Sequence, residues 1–150
     1  MEECRQLICS QVWWKPDQVG NSSLHRQVDA DHLMECVIYN ELKARGASVD
    51  VGVVETELTT ASGKRQKVQL EIDFVVNLGM EKIYIQSAYE LGSPAKIEQE
   101  TRGLNKIDDS FRKLIVTGGV QPFYTDGKGV SRVGIIDFLL DHSVLNRMVQ

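Results

Sequence analysis

No stretch of this chain stays apolar long enough to cross a bilayer or to form a signal-peptide core, so no membrane partner is expected. Histidine and cysteine are scarce, at three each, and none of them falls into a His-x-x-x-His or Cys-x-x-Cys pair of the kind that holds zinc. The odd set Cys4, Cys9 and Cys36 reads as reduced thiols in a cytoplasmic protein. His25, His32 and His142 read as ordinary structural or surface residues. A basic excess is also missing: the net charge is -4, which leaves nucleic-acid binding to a local patch rather than to a global field. Ser62-Gly63-Lys64 looks like the end of a phosphate-binding loop. That loop needs a glycine five residues before its Gly-Lys pair and Ser or Thr after it, where this chain has Leu58 and Arg65.

The composition is otherwise that of an ordinary globular protein, with 42% apolar and 25% charged residues. A chain of 150 residues is expected to form one domain. Residues 1–23 read as an N-terminal extension or docking segment, and 24–150 as the domain proper. Within the extension, Trp13 and Trp14 suit packing better than base stacking.

Leu33, Met34, Val37, Ile38 and Leu42 recur at helical spacing and Gly46 closes the pattern, which predicts one long helix or two abutting ones over 24–46. At 100° per residue Glu41 falls within the apolar arc and Glu35 at its edge. A carboxylate so placed needs a partner or a proton. Alternating segments over 48–58, 67–77 and 82–91 then predict a three-strand antiparallel meander. Pro94 opens a second helical stretch with Ile97, Thr101, Leu104, Ile107 and Phe111 on one face. Arg102, Lys106 and Lys113 fall together on its far side, as a solvated salt-laced face or an anion-binding stripe. Residues 112–119 predict a buried strand, and 130–142 a short strand leading into a last helix.

The meander's second turn carries the chemistry. Gly79-Met80 fits a two-residue type II′ turn, which places Phe74 opposite Ile85, Val75 opposite Tyr84 and Asp73 opposite Gln86. One side of the hairpin is then apolar, and the other gathers Glu71, Asp73 and Gln86 around Ala88. Alternation is how any half-exposed sheet is written. Covered by helices on both faces, however, the same oxygens would lie in a cleft suited to a hard cation such as magnesium.

Helix with an acid, strand, strand with Asp73, strand with Gln86, helix, strand: this order resembles the PD-(D/E)xK, or restriction-endonuclease-like, nuclease superfamily. "HLMECVIYNELKARGASVDVGVV", "EIDFVV" and "KIYIQSAYEL" are more specifically similar to the C-terminal domain found behind the motor of prokaryotic AAA-type ATPases, over about residues 30–141. The resemblance implies an α/β/α sandwich around a central mixed sheet. It also implies a site in which Asp73 and Gln86 bind magnesium with a helical acid, Glu35 or Glu41. The lysine that assists the attacking water in active members is replaced by Ala88, unless Lys82 or Lys67 has taken its place. Loss of that ammonium removes positioning of the water and stabilisation of the scissile phosphate.

The expected function is therefore an accessory domain, joined in cis to an ATPase motor, with a degraded nuclease site and a role in nucleic-acid or protein interaction. An active magnesium-dependent nuclease with a rearranged site, and a metal-free binding module using Arg102, Lys106 and Lys113, are the alternatives.

Overall fold

The computed structural model describes residues 23–59, 63 and 65–146. Helix α1 (Ser23–Ala44) leads through a tight turn into β1 (Ser48–Thr59), β2 (Arg65–Leu78) and β3 (Glu81–Ala88). Helix α2 (Pro94–Lys106) follows, then β4 (Arg112–Thr117), β5 (Tyr124–Thr125), β6 (Val130–Gly134) and the short α3 (Ile135–Leu140). The Trp13-Trp14 pair and nearly all of the expected docking segment lie outside the described residues.

The strands form one mixed six-stranded sheet in the order β1-β2-β3-β4-β6-β5. The first three are antiparallel, β4 and β6 run parallel to β3, and β5 returns antiparallel on the far edge. Gly79 has a φ of 63°, as the first central residue of a primed turn requires. The pairs Phe74–Ile85, Val75–Tyr84 and Val76–Ile83 follow from it.

Helices cover both faces. On one, Met34, Ile38 and Leu42 of α1 and Phe138 of α3 pack with Phe74, Val76, Ile83, Ile85, Leu114 and Val116. On the other, Leu104 of α2 packs with Ile72, Ala88, Ile115 and Val130. Leu33, expected in the apolar stripe of α1, is 55% exposed. The exit of α1 is fixed by the Gly46 and Ala47 amides, which donate to the Lys43 and Leu42 carbonyls, with Gly46 at a φ of 81°. This is a Schellman closure, and the buried Leu42 and Ala47 supply its apolar contact.

Three expectations are corrected. Helix α2 stops at Lys106, so Phe111 and Lys113 do not extend its faces. Ile107 turns extended, and the Asp109 carboxylate accepts from the Phe111 amide, a local bond that competes with continued helix. Lys113 begins β4 instead and donates from Nζ to the Ile107 carbonyl at 2.7 Å. The edge strand β5 was not foreseen; two residues are too few to show a period. Cys36 is disulfide-bonded, against the expectation of three reduced thiols. Its partner lies outside the described residues. Sulfurs bond when the fold brings their Cα atoms within about 7 Å, which sequence spacing alone does not reveal.

Tyr84 donates its hydroxyl to Asp109 at 2.7 Å and meets Phe111 edge-on, with Lys82 over the same ring. Burial first, and then the Asp109 carboxylate, push the phenol from its ordinary value of 10.0 up to about 12. A raised acid holds its proton longer in the folded state. The resulting stability is complete below about pH 10 and is lost as pH rises to about 12. Denaturant titrations across that window should show stability falling with pH, and Tyr84→Phe should flatten the fall; an equal slope in the variant would contradict this.

Candidate functional site

Asp73 owes its position to a break in the β1–β2 ladder. Asp50 pairs with Val75, but Gly52 pairs with Ile72, so Asp73 and Phe74 together stand opposite Val51. This is a β-bulge, which re-aims side chains and is common beside functional sites. It also breaks the alternation. Phe74 faces α1 while Ile72 packs under α2, so Glu71 is carried away from the α2 face and does not join Gln86 in one patch.

The Asp73 carboxylate works as a piece of the sheet. Its Oδ2 accepts from the Ser87 amide at 2.7 Å and from Gln86 Nε2 at 2.9 Å. The regular β2–β3 pairing ends at Phe74–Ile85, so this oxygen supplies the acceptor where the ladder stops. The neighbouring Ser87 hydroxyl is buried and has no hydrogen-bond partner among the described residues.

The helical acids differ in their fates. Glu41 accepts from Arg45 Nε at 2.8 Å, and the same guanidinium lies over the Phe138 ring and donates to the Phe138 carbonyl. It is thereby committed to a structural ion pair. Glu35 lies 3.8 Å from His32 Nδ1 on the same helix. Because α1 runs into Ser48, which pairs with Asn77 beside the hairpin tip, Glu35 lies toward the opposite end of the sheet, the end that holds Asp73 and Gln86.

Sequence reasoning passed over Glu100. At 100° per residue it lies between Gly103 and Leu104 on the packed side of α2, a signal that was available. Burial pushes its carboxyl up; Lys96, one turn earlier, pulls it down, and Asp31 of α1 pushes it up again. Asp31, Lys96 and Glu100 are therefore near enough to feel one another's charge.

A resident magnesium ion does not fit the described donors. No group of three or more His, Cys, Asp or Glu side chains is placed to hold a metal ion among the described residues. Gln86 turns its amide nitrogen, a donor, toward Asp73. Ala88 is 4% exposed and packed with Ile72 and Leu104. Neither candidate replacement lysine is close. Lys82 sits at the hairpin tip over Phe111, roughly 13 Å along the strand from Gln86, and Lys67 is exposed roughly 20 Å along β2 from Asp73.

The cations separate as well. Arg102 and Lys106 line a groove of about 770 Å³ between α2 and the β5–β6 hairpin, together with Lys128 and Arg132 but without Lys113.

No family profile matches the chain. It is similar to an uncharacterized protein of Haemophilus influenzae, at 30% identity over 109 residues, 71% of this chain and 22% of that protein. The chain thus spans about a fifth of that relative's length. No helix among the described residues is long and apolar enough to cross a membrane.

Proposed function

We propose that this chain is the accessory, nuclease-like domain of a longer prokaryotic AAA-type ATPase, with a site that no longer supports hydrolysis and a role in nucleic-acid or protein interaction. The observation that carries the loss of chemistry is the state of the two motif positions. Asp73 is spent on the Ser87 amide and the Gln86 side chain, and the position expected to carry the lysine is an alanine packed under α2. A carboxylate that closes a ladder has little left to offer a metal, and a buried alanine cannot position a water.

The mixed sheet between helical layers supports the restriction-endonuclease-like reading, because helix, meander, helix and strand occur in the required order. The accessory reading is supported by the relative, more than three quarters of which lies outside the match and leaves room for a motor.

The test is incubation with supercoiled and linear DNA in magnesium or manganese. No cleavage is expected; metal-dependent cleavage abolished by Asp73→Ala would overturn the proposal. The same variant should be destabilised by about 2–3 kcal/mol, because the Ser87 amide loses a charged acceptor, with Asp73→Asn costing less. Unfolding titrations read this directly, and an unchanged midpoint for Asp73→Ala would show that the carboxylate is not structural.

A further inference from the structure

The groove between α2 and the β5–β6 hairpin inverts the sign of the molecule. Its charged lining is Arg102, Lys106, Lys128 and Arg132 against Glu98 and Asp126, a surplus of two positive charges on a chain of net charge -4. Arg102 and Lys106 are one helical turn apart on the same side of α2. Lys128 stands across from them in the hairpin turn, whose shape is held by Asp126 Oδ1 accepting from the Lys128 and Val130 amides.

The cations differ in what they have left to offer. Arg132 is pinned: it pairs with Asp126 at 3.2 Å, donates to the Tyr124 hydroxyl at 2.8 Å and lies over the Tyr124 ring. Its Nε is buried without a hydrogen-bond partner among the described residues. Arg102, Lys106 and Lys128 are exposed, and none of them makes a salt bridge among the described residues. A salt-laced face would pair Glu98 with Arg102 at its i,i+4 spacing, and here they do not pair.

We propose that this groove binds the phosphodiester backbone of a nucleic acid, with Arg102, Lys106 and Lys128 as phosphate contacts. Tyr124 is not part of the lining, but it is 43% exposed and held against the lining residue Arg132, so an aromatic ring stands next to the groove. Basic grooves flanked by such rings hold single strands by charge and stacking together, and this favours nucleic acid over an acidic peptide. The inference rests on the interaction role proposed above and chooses nucleic acid within it. It does not depend on the state of Asp73, which lies on β2, whereas the groove is built from α2 and the hairpin.

The experiment is fluorescence anisotropy of a labelled single-stranded oligonucleotide and its duplex with the whole chain, in EDTA, over a series of salt concentrations. Binding should weaken linearly in log salt, and Arg102→Gln or Lys106→Gln should each flatten the single-strand slope by about 0.7. Arg102→Glu combined with Lys106→Glu should weaken binding at least tenfold. Lys67→Glu, a charge reversal at an exposed site on the β1–β2 ribbon, should leave affinity unchanged and is compared with Lys106→Glu alone, which changes net charge equally and should weaken binding. Circular dichroism of each variant should match the parent. No binding at low salt, equal binding by the double variant, or an equal loss in Lys67→Glu would overturn the proposal. Cleavage on replacing EDTA with magnesium would instead overturn the degraded-site reading and leave the groove standing.

Discussion

Arg45→Ala is expected to lower the unfolding free energy by about 3 kcal/mol and the melting temperature by roughly 10 °C. The guanidinium is 7% exposed and Glu41 21% exposed, so little water reaches either partner. Arg45 does three things at once: it neutralises Glu41, donates to the Phe138 carbonyl near the end of α3, and covers the Phe138 ring. Removing it leaves a carboxylate on the packed side of α1 with no counter-charge, and the cost of that orphan exceeds the worth of the bond itself. Arg45→Lys should recover only part of the loss, because an ammonium cannot reproduce the fork that reaches both acceptors. Glu41→Leu combined with Arg45→Met should cost clearly less than the two single changes added together. Additive costs in that cycle would show that the pair is not coupled.

Gly134→Ala should be comparably damaging, by about 3 kcal/mol, for a steric reason alone. Gly134 has an ordinary φ of -72°, so an alanine could adopt its backbone. A Cβ there, however, would stand 2.4 Å from the Gln121 nitrogen and 2.7 Å from the Gly119 oxygen. Both are main-chain atoms of the loop that crosses over β6, held there by the Gly134 amide donating to the Gln121 carbonyl. The loop or the β4–β6 pairing must give way. Gly103 is the informative contrast. Its added Cβ would meet the Ile72 Cδ1 at 2.8 Å, the far end of a side chain that can swing aside, while alanine favours the helix by up to about 1 kcal/mol. Gly103→Ala should therefore be near neutral, and thermal melts in which it matches Gly134→Ala would contradict this account.

Much of the architecture was legible because local periods are strong where burial is one-sided. Met34, Ile38 and Leu42 mark a helix face, and the alternation from Phe74 to Ile85 through Gly79 sets both the hairpin and its register. Pro94 and the Ser93 side chain, which accepts from the Lys96 amide, mark the start of α2. The far end of α2 was less readable. An apolar pattern continued to Phe111, but Asp109 offered the backbone a competing local bond.

The candidate site divides along the same line. Chain order and turn chemistry alone brought Asp73 and Gln86 to neighbouring places on adjacent strands, and the two do touch. Glu41 was recognisable as a carboxylate in need of a partner, and Arg45 stands at its i+4 position on the same helix; only the fold shows that this guanidinium is also bonded to α3.

The sequence by itself determined the apolar stripe of α1, the alternation of β2 and β3 and the hairpin register, since each depends on residues within a few positions of one another. Only the tertiary structure decided three other matters. The bulge at Asp73 depends on how β1 and β2 share one residue's worth of excess length, and it moves Ile72 and Glu71 to opposite faces from those that alternation assigns. The packing of Ala88 beneath Leu104 depends on where α2 lands. The basic groove joins α2 to a hairpin that follows only after β4 and its loop, and charges so far apart in sequence acquire a shared field only when the fold sets them face to face.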